Sequence, residues 1–389
     1  MEVSPSLFRE GNNRDFNFKE YEVVLLNAYD SSSAVTRIAS LIVQTGIEPI
    51  RLFTFSKTSE RSKRSIGDII QPFKLDGEKP PFNKQLENVE YLLNNYFSKK
   101  FITKYVYNYL LKNRRFGYIV HYTDPTFPVI KFKRVEMVET VTIHDLFVLK
   151  EKSRPENLKE RIYRQIFSNS FPIYKKFDDL ISVSNQTKKD MIEEGFDGNI
   201  KVIYPPINPG IKRIDDSTRK MLRSELKLPK DKVLILSVSS SDKRKNLSVL
   251  KETLEKLGDN YALVRVGSKM NGAIWFENVS VEVLNKLYNS CDIFLSPTLG
   301  EGFGIPFAEA MATGLPIVAS DIEIVKEVVG SSGILVEPTV SGCLKGIREA
   351  LNSSTEFGLR GMDRAKKYSF ERFSNEMAEF YAYLQKKVK

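Results

Sequence analysis

Short apolar runs separated by longer amphipathic stretches recur along the chain, and few folds accommodate that alternation. A strand buried on both faces reads as a brief, unbroken apolar run, and the helix that covers it repeats its apolar positions every three to four residues. Taken in turn, the two make parallel β-α-β units with helices over a sheet. Strands are predicted in the first half at residues 23–27, 50–55, 118–122, 138–143 and 180–183, with helical stretches such as 34–44 and 84–112 between them. The second half repeats the theme at 233–238, 262–266, 293–296, 316–319 and 334–336, each run followed by turn or capping residues and a helix-like segment. The fold class is α/β.

At 389 residues the chain is too long for one ordinary core, so two domains are expected. Tyr204-Pro205-Pro206-Ile207-Asn208-Pro209-Gly210 breaks both periodicities with prolines and a glycine, which sets the expected domains at 1–205 and 206–369. Beyond them, Phe370, Phe373, Met377, Phe380 and Leu384 form one helical apolar stripe within a terminal segment, 370–389. On pattern alone, the default for that stripe is packing on its own domain.

Composition narrows the function classes. No run of about 18 apolar residues occurs, so no transmembrane helix is expected. The first residues are polar and carry Glu2, Glu10 and Asp15, unlike a signal peptide. Cys291 and Cys343 are the only cysteines and lie in segments that read as structured, which points to a reduced, cytoplasmic protein. The net charge of +10 allows nucleic acid, anionic membrane or phosphorylated ligands as partners. Its lysines and arginines are interleaved with acids, and no RNA-binding signature or zinc-finger spacing is present, so no nucleic-acid partner is expected. With two histidines, two cysteines and no Asp-x-Asp pair, neither a metal site nor a cofactor is expected. Lys99, Lys100 and Lys104 interleave with Phe97, Phe101 and Tyr105 in a stretch suited to an anionic lipid surface, although the default is a helix packed in the first domain with its lysines in water.

The most informative stretch runs from Ser296 to Ser320. A strand ends near Ser296, a glycine-bearing loop follows, and a helix begins about Ile305. Pro306 suits the first helical turn, where a missing N–H costs nothing, and Gly314 is placed to stop the helix. Gly302 and Gly304 let the backbone approach a ligand, and the helix start favours phosphate. Glu301 and Glu309 can each accept hydrogen bonds from a pair of hydroxyls. Two glutamates at this spacing alone read as surface residues; the embedded Gly-Phe-Gly-Ile-Pro and Glu-Ala-Met-Ala-x-Gly-x-Pro reverse that reading.

In these residues the sequence resembles glycosyltransferase family 4, a group of retaining enzymes whose signature is a glutamate pair separated by seven residues. The resemblance extends to residues 320–338, to Lys243-Arg244-Lys245-Asn246, to Val141-Thr-Ile-His144-Asp145 and to Ile181-Ser-Val-Ser184; it is strong from about Val138 onward and weak before. It implies a GT-B architecture, two Rossmann-like domains facing across a cleft, with a C-terminal helix able to cross back to the first domain. It implies a nucleotide-sugar donor and a glycan or lipid-linked acceptor. Glu301 would contact the donor sugar and Glu309 the ribose, with the amides of Gly302, Phe303 and Gly304 against sugar and pyrophosphate. Lys245, with Arg244, would neutralise the leaving diphosphate, and His144 would hydrogen-bond at the reaction centre, whereas His121 reads as structural. Where many relatives carry a glycine-rich loop, this chain has Tyr29-Asp30-Ser31-Ser32-Ser33-Ala34, so Ser33 and its neighbours would supply the donor contacts. Where many carry an arginine, it has Ser239 and Ser240, with Arg244 as the substitute. The competing readings are a sugar-nucleotide epimerase on the same fold and an inactive nucleotide-sugar-binding protein.

Overall fold

The computed structural model of the chain describes residues 21–28, 41–42, 45, 50–55, 117–125, 137–150 and 158–387. The expectations placed on 1–20, on the serine loop with Ser33, on the helical stretch 84–112 and on its basic aromatic part lie outside the described residues. Of the stretch 34–44, Leu41 and Ile42 are described, helical and buried.

Two six-stranded sheets organise the chain. The first contains β1 (Tyr21–Ala28), β2 (Ile50–Phe55), β3 (Gly117–Tyr122), β4 (Met137–Ile143), β5 (Asp179–Ser182) and β6 (Asn199–Val202), in the order β2-β1-β3-β4-β5-β6. The second contains β7 (Val233–Ser239), β8 (Tyr261–Gly267), β9 (Ile274–Phe276), β10 (Ile293–Ser296), β11 (Ile317–Ser320) and β12 (Ile334–Val336), in the order β12-β11-β10-β7-β8-β9. Every pairing is parallel. Each predicted strand is present, its ends within two residues of those expected. β6 and β9 were not predicted. Both are edge strands: β6 alternates exposed polar with apolar residues, and β9 is a run of three apolar residues with its middle one exposed, too brief to read as a strand.

Helices connect the strands. Besides the helical Leu41 and Ile42, those among the described residues of the first domain are α1 (Phe147–Lys150), α2 (Leu158–Tyr174) and α3 (Asn185–Glu193). The second has α4 (Arg219–Glu225), α5 (Leu247–Leu257), α6 (Val281–Ser290), α7 (Ile305–Ala312), α8 (Glu323–Val328), α9 (Val340–Asn352) and α10 (Ser354–Ala365), followed by α11 (Phe370–Gln385). Ser184, Ser280, Thr339 and Ser369 cap α3, α6, α9 and α11 by accepting a backbone N–H three residues on, and each such cap is worth about 1 kcal/mol. Among the described residues no helix is long and apolar enough to cross a membrane.

The chain changes cores after β6: Ile203 is buried with the first sheet, Ile207 and Ile211 with the second. It then returns. Phe373, Met377, Phe380, Tyr381 and Leu384 of α11 pack against Leu25, Ile119 and Ile181 of the first sheet, not on the domain that precedes them. That overturns the default read from the pattern alone and bears out the crossing back that the family resemblance implies; an apolar stripe states that a face is buried, not against what. Inside this contact His121 meets the Tyr381 hydroxyl at 2.7 Å and the Thr142 hydroxyl at 2.7 Å, a structural histidine as expected.

Strand order in the second sheet reverses between β7 and β10. In open parallel sheets the crevice outside the carboxyl ends at such a reversal is where ligands bind. Here those ends carry the loops that hold Lys243–Lys245 and Glu301.

Candidate active site

The two loops are built to hold each other. After β7, Asp242 accepts the Arg244 amide at 2.9 Å and so starts the 3-10 turn Lys243–Lys245. Asn246, with φ of 52°, turns the chain into α5. After β10, the Leu299 amide and the Thr298 hydroxyl both donate to the Arg244 carbonyl, at 2.6 and 3.0 Å. That cross-tie brings Lys245 to Glu301: its ammonium lies 2.7 Å from each carboxylate oxygen, with the two side chains 15% and 12% exposed. The residues expected to serve the diphosphate and the sugar separately are thus each other's partner.

The glycines of the loop have distinct reasons. Gly304 sits at φ of +84°, and a Cβ there would stand 2.5 Å from the Phe307 ring. Gly302 was expected to admit a ligand, but the space that its Cβ would take is filled by the His144 carbonyl, 1.9 Å away, from the facing domain. Gly300 similarly makes room for the Phe147 ring, 2.7 Å from its ideal Cβ. Phe303 sends its side chain inward, with ring centroids 5.9 Å from Tyr204 and 5.1 Å from Tyr368, so its ring anchors the loop.

Across the cleft, His144 follows β4 and its Nε2 is 2.8 Å from the Thr123 carbonyl. A carbonyl only accepts, so the proton is on Nε2 and Nδ1 is the acceptor. Burial holds the imidazole pKa below its ordinary value, outweighing the Thr123 carbonyl and the nearby Asp145 and Asp124. The ring is therefore neutral at pH 7. Arg244 spans the cleft: its guanidinium lies 4.1 Å over the Phe147 ring, 3.7 Å from Asp145 and 2.9 Å from Asp242.

Glu309 differs from expectation. It lies on α7, fully buried, and accepts a hydrogen bond from the Tyr288 hydroxyl at 2.9 Å. In this arrangement its carboxylate is closed off from solvent. A glutamate in the first turns of a helix ordinarily points outward; α7 is enclosed on nearly every side, and the sequence pattern does not show that.

Three further residues shape the site. Ser184 donates to the Gly302 carbonyl at 2.7 Å, and Glu327 accepts from the start of α3. Both lie in the stretches that carry the family resemblance, but nothing local reveals their partners. Arg265 is fully buried on β8, donating to the carbonyls of Ser239 and Ser240 at 2.6 and 3.2 Å, with its Nε lacking a partner and its pKa lowered by burial to about 10. An arginine inside Ala262-Leu-Val-Arg265-Val266 was the available signal. Among the described residues no group of three His, Cys, Asp or Glu side chains is placed to hold a metal ion.

Residues 218–369 match the family model described as glycosyl transferases group 1. O-antigen chain mannosyltransferase B of Escherichia coli is 30% identical over 128 residues, which cover 32% of this chain and 34% of that protein. O-antigen chain mannosyltransferase RfbU of Salmonella typhimurium is 26% identical over 260 residues, 60% of this chain and 66% of the relative. The chain thus spans between 34% and 66% of the length of these two proteins. The crystal structure of Anabaena HepE in complex with UDP-glucose superposes with a TM-score of 0.71 at 13% identity, covering 93% of this chain and 100% of that one. At such identity the likeness is one of fold, and the fold is GT-B.

Proposed function

We propose, for a chain whose second domain is that of the group 1 glycosyl transferases and whose sheets form a GT-B pair, the transfer of a hexose from a nucleoside-diphosphate sugar to a glycan or lipid-linked acceptor, with retention at the anomeric carbon. The observation that carries the reading is the Lys245–Glu301 pair, held 2.7 Å apart at the sheet's point of reversal. A carboxylate there stands where a diphosphate is wanted, and a diphosphate brings more negative charge to Lys245 than Glu301 does. Donor binding exchanges partners: Lys245 and Arg244 take the diphosphate, and Glu301 turns to the sugar hydroxyls.

The amides of Gly302, Phe303 and Gly304 and the start of α7 add oriented dipoles at the leaving group. His144, neutral and protonated on Nε2, accepts a hydrogen bond from the sugar through Nδ1. Glu309 receives ribose hydroxyls once the Tyr288 bond gives way. In same-face attack the bond from the anomeric carbon to the phosphate oxygen breaks as the acceptor oxygen bonds to that carbon, and the acceptor's proton passes to the leaving phosphate. The first domain, residues 1–205, is the acceptor side together with the terminal segment 370–389, whose helix α11 packs on the first sheet, and residues 206–369 are the donor side. We place the reaction in the cytoplasm or at the inner membrane face.

Mannose is the first sugar to try, because two relatives are mannosyltransferases. The test incubates the chain with nucleoside-diphosphate hexoses and lipid-linked acceptors and analyses the products. One donor should release its nucleoside diphosphate with the sugar's anomeric configuration kept. Epimerised donor, inverted product, or no binding of any nucleoside diphosphate refutes the reading.

A further inference from the structure

One helix of the first domain receives two separate elements of the second. Ser184, the N-cap of α3, accepts the Thr187 amide at 3.0 Å and donates to the carbonyl of Gly302 at 2.7 Å, while the Thr187 hydroxyl reaches the same carbonyl at 3.2 Å. Beside it, Glu327 from α8 places its carboxylate on the open N-terminus of α3. One oxygen accepts the Asn185 amide at 2.7 Å, the Asn185 side chain at 3.0 Å and the Tyr204 hydroxyl at 2.9 Å; the other accepts the Gln186 amide at 2.9 Å. A carboxylate at a helix N-terminus meets unpaired N–H groups and the positive end of the dipole. The backbone of Glu327 is itself braced, because Arg364 donates to the carbonyls of Glu327 and Val328 at 2.6 Å each.

Gly302 is also the residue whose missing Cβ makes room for the His144 carbonyl, and it follows Glu301 directly. The contacts on α3 therefore fix how the Glu301 loop stands against His144. We propose that Glu327 and Ser184 are positioning residues for sugar transfer: an interdomain latch on the N-terminus of α3 that registers the donor loop on His144. This rests on the function proposed above. Neither residue touches the reacting atoms. A misplacement near 1 Å between catalytic groups lowers a rate by about 100-fold.

The test uses the full chain with Glu327→Ala, Glu327→Gln and Ser184→Ala. Nucleoside-diphosphate affinity is read by calorimetry, kcat and KM by donor turnover, and domain placement by spin labels on cysteines introduced at the exposed Lys189 and Lys251. Both native cysteines are buried, so labelling is selective. In Glu327→Ala, kcat should fall by about 100-fold while nucleoside-diphosphate affinity stays within about threefold, because that site belongs to the second domain. Glu327→Gln keeps one accepting oxygen and should fall between, and the label-to-label distances should broaden in the order of the loss. An unchanged kcat in Glu327→Ala overturns the proposal, as does a fall of kcat and affinity together with the melting temperature, which marks a merely structural contact. A wild-type chain that neither binds nor turns over any donor refutes the transferase reading instead. The distances still judge the latch: broadening in Glu327→Ala keeps it, and an unchanged distribution removes it.

Discussion

The Lys245–Glu301 pair gives two substitutions with opposite expected effects on one measurement. Lys245→Met removes the cation from the diphosphate and leaves Glu301 facing it. Glu301→Gln removes the competing carboxylate and frees Lys245. Charge-assisted hydrogen bonds contribute about 1.5–3 kcal/mol each, so losing one or two should lower kcat/KM by about 100-fold in either variant. Nucleoside-diphosphate affinity should part them: weaker in Lys245→Met, equal or tighter in Glu301→Gln. Calorimetry checks this, and equal weakening in both would mean that the two side chains do not divide the work as proposed. Residue identities in this corner were legible because glycine, proline and glutamate occur there in an order that ordinary surface loops do not need. Their contacts were less so. The space that Gly302 leaves is filled by the His144 carbonyl, and the Glu309 carboxylate is buried and accepts from the Tyr288 hydroxyl. A missing Cβ tells that something approaches closely, and only the fold says what.

At the scale of elements, legibility follows burial. Strands covered on both faces announce themselves as apolar runs, which is why β7 and β10 were found and the half-exposed edges β6 and β9 were not. For α11 the stripe gave the buried face and only the family resemblance gave its partner, since the first sheet lies far earlier in the chain and no local signal links the two. The His121–Tyr381 contact makes that docking testable. Tyr381→Phe keeps the packed ring and leaves a buried imidazole nitrogen without its partner, which costs about 1–3 kcal/mol. The urea midpoint should drop with an unchanged slope. A midpoint equal to that of the wild type would show that α11 is held by its apolar contacts alone. The same substitution should leave nucleoside-diphosphate affinity unchanged, because α11 packs on the first sheet and the donor loops belong to the second.

Over the whole molecule, stability and pH are linked through groups buried in the first domain. Burial lowers the His121 pKa from 6.5 to about 3, so the unfolded chain binds that proton first as acid is added. The stability it contributes is complete above pH 6.5 and is lost as pH falls toward the folded value. His144, also held down by burial, slopes the same way. Glu139 slopes the other way. Burial raises its pKa from 4.5 to about 7, although Tyr122 donates to it at 2.8 Å, so stability is lost as pH rises from 4.5 through 7. Between pH 4.5 and 6.5 the opposing slopes partly cancel in the wild-type protein. Glu139→Gln keeps an acceptor for Tyr122 and cannot ionise. Its stability relative to wild type should be constant below pH 4.5, grow with pH, and level off above about 7 at a gain of about 3 kcal/mol. With Glu139 silent, the loss of stability from pH 4.5 through 7 should disappear while the histidine slope remains. Urea titrations followed by far-ultraviolet circular dichroism at half-unit pH steps measure both curves. If the two run parallel, the carboxyl on β4 is not held near neutrality and the enclosure of that face of the sheet is looser than its contacts imply.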